Sequence, residues 1–179
     1  ICPVGTYSSE ASAKCENCAD GTYASSTKSA TCSQCPTTCD GYCIKTSGLC
    51  AACKAGYGYS NGNCTQCQAG TYSPLGSTTS CQSCSSTSWS NAGASSCTTC
   101  PGCSACGSTT GTCTSCKAGY KLVSGKCTAC TGLTYSTGGT ATTCSSCPAS
   151  CKTCDNTNGK CLTCIGGYKF TSSTGVCTQ

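Results

Sequence analysis

The apolar positions that recur along this chain are cysteines and aromatics, and aliphatic residues are scarce. Leu, Ile, Val and Phe together number 12 among 179 residues, and no apolar period of 3.6 residues appears, so no amphipathic helix is predicted. The cysteine steps repeat instead. They are 14, 3, 4, 4, 7, 3 and 11 from Cys18, then 13, 3, 3, 3, 7, 3 and 11 from Cys84, and 14, 3, 4, 3, 7, 3 and 13 from Cys130. This register predicts tandem repeats.

One type of module, called A, consists of a cysteine, a turn, an aromatic, a Ser/Thr-rich loop and a closing cysteine. Gly5, Gly21 and Gly70 stand two residues before the aromatic, where a turn with positive φ favours glycine. Thr87 and Leu133 stand there in the last two copies, so we expect a different turn. The five copies are Cys2–Cys15, Cys18–Cys32, Cys67–Cys81, Cys84–Cys97 and Cys130–Cys144, with the aromatics Tyr7, Tyr23, Tyr72, Trp89 and Tyr135.

The second type of module, called B, carries six cysteines and ends in a Gly-Tyr loop. A second bulky residue follows the tyrosine by two, on the same side of an extended strand. The copies run over Cys35–Cys64, Cys100–Cys127 and Cys147–Cys177, with loops at Gly56-Tyr57, Gly119-Tyr120 and Gly167-Tyr168. The order A-A-B, A-A-B, A-B predicts three cysteine-rich repeats at 1–66, 67–129 and 130–179.

Composition decides the fold class. With 28 cysteines, the chain belongs among disulfide scaffolds. So few aliphatic residues cannot offset chain entropy by burial, so cross-links must replace a core. We predict a small disulfide-rich fold: an extended rod of tandem modules with short β ribbons and turns and essentially no helix. So many thiols also predict an oxidising, extracellular or cell-surface location.

Thirteen CxxC spacings admit three interpretations. A redox CxxC needs a thioredoxin-like strand–helix framework, and the sequence predicts none. Zinc sites fit the spacing of Cys50, Cys53, Cys64 and Cys67, but the chain has no His. Structural disulfides are favoured, and we expect no metal and no cofactor.

Connectivity cannot be derived from spacing alone, but the module boundaries give a hypothesis. Each A module closes on itself, and each B module interlocks its first four cysteines and closes its last pair. No bridge then lies within a CxxC, which becomes a joint between consecutive loops. The A bridges are Cys2–Cys15, Cys18–Cys32, Cys67–Cys81, Cys84–Cys97 and Cys130–Cys144. The B bridges are Cys35–Cys43, Cys39–Cys50, Cys53–Cys64, Cys100–Cys106, Cys103–Cys113, Cys116–Cys127, Cys147–Cys154, Cys151–Cys161 and Cys164–Cys177.

Charge and reactive residues predict neither nucleic-acid binding nor catalysis. The net charge of +5 comes from ten scattered lysines without an arginine, so no basic cluster can grip phosphates. Without His, the usual general base is missing, and the five carboxylates (two Glu, three Asp) show no recurring pair. We therefore expect no enzymatic activity.

One sequon is present, Asn63-Cys64-Thr65, and Asn63 is a candidate N-glycosylation site. The Ser/Thr-rich loops also permit O-linked glycans. No apolar run of 18 residues predicts a membrane span. The chain opens at Ile1 without Met and stops where another repeat would start, so we expect a piece of a longer array or copies that abut head to tail.

Two motifs resemble known receptor modules. The run Cys147-Pro-Ala-Ser-Cys151-Lys-Thr-Cys154, followed by Cys161-Leu-Thr-Cys164, resembles a furin-like repeat of the growth-factor-receptor cysteine-rich superfamily. The segment Cys2-Pro-Val-Gly-Thr-Tyr7, closing at Cys15-Glu-Asn-Cys18, resembles ephrin-receptor-like and tumour-necrosis-factor-receptor modules. Both resemblances imply ladders of small disulfide loops stacked along a rod.

Long Arg-free arrays rich in Ser, Thr and Ala look most like protist surface proteins. Candidates are the immobilisation antigens of ciliates and, second, the variant-specific surface proteins of parasitic flagellates. The flagellate proteins usually carry Gly-Gly-Cys-Tyr, whereas this chain has Gly166-Gly167-Tyr168. The ciliate type is therefore favoured.

The leading functional hypothesis is a structural surface-coat protein that assembles head to tail into a filament. The expected partners are further copies of the chain or other surface proteins. The alternative is an adhesive or receptor-type ectodomain, in which one repeat should depart from the others in exposed aromatics or charge, with Trp89, Tyr42 and 122–126 as the candidates. Metal binding through cysteines is third.

Overall fold

The computed structural model describes residues 1–9 and 14–179. Short antiparallel ribbons of two strands and tight turns make up the described residues, and these contain no helix. This is the small disulfide-rich tandem-module fold that the sequence predicts. The predicted rod and the three repeat boundaries follow from cysteine spacing and stay predictions.

The chain divides into two compact units. The first comprises Ile1–Cys84 and Ser90–Cys97. Its strands pair β1 with β2, β3 with β4, β5 with β6 and β7 with β8. In chain order they are β1 Thr6–Tyr7, β2 Glu16–Asn17, β3 Thr22–Tyr23, β4 Ser33–Gln34, β5 Tyr57–Ser60, β6 Asn63–Gln66, β7 Thr71–Tyr72 and β8 Gln82–Ser83.

The second unit comprises Ser85–Trp89 and Thr98–Gln179. Each of its strands likewise pairs with the next one along the chain. They are β9 Ser88–Trp89, β10 Thr98–Thr99, β11 Cys103–Cys106, β12 Cys113–Cys116, β13 Tyr120–Val123, β14 Lys126–Ala129, β15 Thr134–Tyr135, β16 Ser145–Ser146, β17 Cys151–Cys154, β18 Cys161–Cys164, β19 Lys169–Thr171 and β20 Val176–Thr178.

The same ribbon opens the three B modules, but it is weaker in the first. Cys103 pairs with Cys116 and Cys106 with Cys113 in a two-stranded ladder that contains register shifts, and the third B module matches this. The first B module has only isolated bridges, from Cys39 to Cys53 and from Cys43 to Cys50. Its second and third cysteines stand four residues apart instead of three, and the extra residue interrupts the ladder.

Half-cystines form the interior. The buried apolar residues among those described are sixteen half-cystines and Ala24. In the second unit, four of these cysteines form a cluster against which Trp89 and Leu122 pack. Cross-links and a few aromatics therefore replace the aliphatic core, as the composition requires.

Candidate functional site: the joints between modules

All 28 cysteines lie in fourteen disulfides. The bridges join the pairs that the module boundaries propose, and none lies within a CxxC. Their Cα–Cα distances run from 5.1 Å for Cys39–Cys50 to 6.5 Å for Cys100–Cys106, within the range that disulfides require. Peptide mapping without reduction would test this connectivity chemically.

A backbone hydrogen bond locks each CxxC joint after an A module or at the end of a B module. The second cysteine of the joint donates its N–H to the carbonyl of a turn residue in the preceding loop, which stands two places before the aromatic in an A module and one place before the tyrosine in a B module. Those N–O distances are 2.8–3.0 Å. The pairs are Cys18 with Gly5, Cys35 with Gly21, Cys67 with Gly56, Cys84 with Gly70, Cys100 with Thr87, Cys130 with Gly119 and Cys147 with Leu133.

Thr87 and Leu133 keep the acceptor although they are not glycines. Gly5, Gly21 and Gly70 have φ near +80°, whereas Thr87 and Leu133 do not have positive φ. The turn therefore differs in the last two A modules, as their residues predict. The joint survives because a carbonyl, unlike a side chain, is available at every position.

A second hydrogen bond ties four of these turns to the module that follows. The glycine N–H donates to the carbonyl of the residue directly after the next A-module aromatic, at 2.7–2.9 Å. That residue is buried in each case, while Ser8 of the first A module is only half-buried. The pairs are Gly5 with Ala24, Gly56 with Ser73, Gly70 with Ser90 and Gly119 with Ser136.

The aromatic that precedes each B module covers a glycine in that module's first hairpin. A Cβ added to Gly48 would lie 2.6 Å from the Tyr23 ring, and one on Gly111 would lie 2.7 Å from the Trp89 ring. Gly159 has the same relation to Tyr135, at 2.5 Å. All three glycines have positive φ and donate to the carbonyl four residues earlier.

Sequence reasoning missed these three glycines. The signal was present, because each stands two residues before the fourth cysteine of its B module. The contact also explains why Trp89 is only partly exposed, because its ring packs inside the module joint. Of the candidate binding residues, Tyr42 is the exposed aromatic, at 63%.

Charged groups play a small part at the joints. Lys45 and Asp20 form an ion pair of 2.9 Å whose two side chains are exposed, and such a pair stabilises little. The Tyr7 hydroxyl donates to the Glu16 carboxylate at 2.9 Å, and this raises the pKa of Tyr7. Hydrogen bonds from Thr157 lower the pKa of Asp155. Glu10 lies outside the described residues, and the expected lack of catalysis stays a prediction.

The sulfurs offer no thiolate in this oxidised form. The Sγ atoms of Cys103, Cys113 and Cys127 lie within 4.8 Å of one another, but all three belong to disulfides. A thiolate, and not a disulfide sulfur, is the zinc ligand. A metal site here would therefore require prior reduction.

The comparisons with known proteins concern the N-terminal part. Residues 5–47 match the family described as tyrosine-protein kinase ephrin type A/B receptor-like. No curated protein matches the chain. The match supports a growth-factor-receptor-like cysteine-rich repeat in this segment. It includes the second A module with Tyr23 and the start of the first B module, and it ends one residue before Gly48.

Two observations indicate the compartment in which the protein occurs. The dense disulfides and the receptor-like repeat together indicate an extracellular or secreted cysteine-rich protein. Among the described residues, no helix is long and apolar enough to cross a membrane.

Proposed function

We propose that the chain is a structural element of an extracellular surface coat that associates head to tail. A ciliate-type, glycosylated surface antigen is the setting that its Arg-free, Ser/Thr-rich composition favours. The repeated joint between a B module and the following A module supports this function, because it uses backbone groups that every copy has.

The joint from B to A occurs twice with the same bonds. Gly56 and Tyr59 donate their N–H groups to Ser73 and Thr79, at 2.8 Å each. In the second repeat, Gly119 and Leu122 donate to Ser136 and Ala141, at 2.7 Å each. No aliphatic core is involved, so the joint needs only an A module of matching shape.

The third B module presents the same edge without an A module beside it in the described part of the chain. Gly167 and Phe170 occupy the places of Gly56 and Tyr59, and Phe170 is 45% exposed. On the A-module side of the internal joint, the acceptor is Ser73, and Ser8 occupies the equivalent place in the first A module. A second copy that brings its first A module to Phe170 would repeat the internal joint, and such contacts extend without closing.

Light scattering and electron microscopy across a range of protein concentrations test the association. We expect concentration-dependent chains of copies, lost in Phe170→Asp because a charge would be buried at the joint. Leu162→Asp is the matched control, since Leu162 is 56% exposed in the same module and lies outside this edge. Monodisperse monomers at every concentration, or equal association of both variants, would contradict the proposal.

The runner-up is a binding ectodomain, and the 63% exposed Tyr42 favours it. Exposed tyrosines are enriched where proteins bind one another. Trp89, in contrast, is engaged within its own joint.

A further inference from the structure

The sequon asparagine lies at the tip of the hairpin formed by β5 and β6. Asn61 and Gly62 have φ of +48° and +82°, which makes a two-residue type I′ turn. Asn63 follows this turn and pairs with Ser60. Both Asn63 and Thr65 are exposed, so the two residues that define the sequon are accessible in the folded chain.

A cleft opens on the same face of this hairpin. Ser60 lies opposite Asn63, and Gly58 lies opposite Thr65. Residues opposite each other or two apart in a ribbon share a face, so the Asn63 side chain projects on the face that carries Gly58, Ser60 and Thr65. These three residues line a cleft of about 310 Å³, at the lower end of small-ligand sites.

The lining of the cleft fits a neutral, hydroxyl-rich group. Its other walls include Tyr59, Gln68 and Ser80, and no Lys, Asp or Glu lines it. The side chains of Thr65, Gln68 and Ser80 make no hydrogen bond to another described residue, so they are available to a ligand. Hydroxyls and amides match the polar groups of a sugar.

Gly58 makes this cleft particular to the first repeat. A Cβ on Gly58 would lie 2.6 Å from the N and Sγ atoms of Cys81, so the hairpin and the next loop approach closely there. The equivalent residues in the other repeats are Lys121 and Lys169. The sequon and the glycine thus occur together in one hairpin of three.

We propose that Asn63 carries an N-linked glycan whose first sugar lies in this cleft. In the attachment step, Asn63 Nδ2 attacks the anomeric carbon of a lipid-pyrophosphate-linked oligosaccharide. A C–N bond forms, the anomeric C–O bond breaks, the lipid pyrophosphate leaves, and the nitrogen loses one proton to a base of the transferase. The proposal requires passage through a secretory pathway and is independent of head-to-tail association.

Expression in a eukaryotic secretory host tests both halves of the proposal. Mass spectrometry of intact protein should show a glycan that disappears in Asn63→Gln. The matched control is Lys126→Asn, which creates the same sequon before Cys127-Thr128 after an equivalent turn, since Ser124 and Gly125 also have positive φ. That hairpin has Lys121 in place of Gly58.

The rate of enzymatic deglycosylation of folded protein reports the contact with the cleft. We expect the Asn63 glycan to be removed about fivefold more slowly than the glycan at position 126, the factor that corresponds to about 1 kcal/mol of contact. Ser80→Arg, at an exposed position of the rim, should abolish the difference and keep the fold. Absence of a glycan on Asn63 overturns the proposal, and equal removal rates at the two positions overturn the assignment of the cleft.

Discussion

In four of the five A modules, the residue directly after the aromatic contacts the preceding module. Ala24, Ser73, Ser90 and Ser136 occupy it, and all are buried. Their carbonyls accept from the turn of the preceding module, so the backbone makes the contact and the side chain needs only to be small. The serines nevertheless differ. Ser90 Oγ donates to the Thr71 carbonyl at 2.8 Å, whereas buried Ser73 Oγ has no partner.

Alanine at these two serines should therefore have opposite effects on stability. Ser73→Ala removes an unsatisfied buried hydroxyl, and we expect it to be neutral or to stabilise by up to about 1 kcal/mol. Ser90→Ala leaves one fewer bond to the Thr71 carbonyl and should destabilise by about 1 kcal/mol. Thermal unfolding with disulfides intact, followed by near-ultraviolet circular dichroism, measures both. An equal loss in the two variants would show that Ser73 Oγ has a partner.

At the scale of elements, the contact between an A aromatic and a B hairpin couples two separately cross-linked loops. No disulfide crosses from an A module to a B module, so these joints depend on the ring, the backbone bonds and the CxxC between them. The glycine is required twice over at Gly48: its φ is +76°, and the Tyr23 ring leaves no room for a Cβ.

Alanine substitutions separate these two requirements. Gly41 has φ of +78° but no atom within 4 Å of an added Cβ, so Gly41→Ala should cost only the backbone term, about 1 kcal/mol. Gly48→Ala adds the collision with Tyr23 and should cost about 3 kcal/mol.

Thermal unfolding of the two single variants checks these values. In the double variant Tyr23→Ala with Gly48→Ala, the extra cost should vanish, because the ring is no longer there. If Gly41→Ala and Gly48→Ala were equally destabilised, the ring would contribute nothing to the joint.

The positions of the ribbons could be predicted from the sequence, whereas the contacts between modules could not. The position of each ribbon follows from the cysteine and aromatic register, because closure of a small loop brings its two ends together. The missing ladder in the first B module follows from one extra residue between Cys39 and Cys43. The contact of Tyr23 with Gly48 was not predicted, since it joins residues of different modules and depends on their relative orientation.

At the scale of the whole molecule, each bridge closes a loop within its own module. The sequence separations of the bridged cysteines run from 6 to 14 residues. Contacts that extend mainly to the next module make stability a sum of local terms. We therefore expect that either compact unit can lose its structure while the other unit keeps its own.

Removal of one bridge tests this locality. Replacing Cys53 and Cys64 together by serine opens a loop with a separation of 11 residues and should cost about 3 kcal/mol. Hydrogen exchange should show lost protection in the first unit only. The corresponding change at Cys116 and Cys127, whose separation is also 11, should affect only the second unit. Loss of protection along the whole chain in either variant would refute local stability.

The sequence by itself determined the class of fold, the modules and the oxidising environment. Twenty-eight cysteines among 12 Leu, Ile, Val and Phe residues leave cross-linking as the means of ordering the chain, and their spacing marks the loops. Tertiary structure decided which groups meet across the joints: the turn carbonyls, the aromatic over each hairpin glycine, and the cleft beside Asn63. The turn bonds join separate modules through backbone groups that every residue carries, so no residue type marks them in advance, and the contact of an aromatic with a hairpin glycine depends on how two modules are oriented.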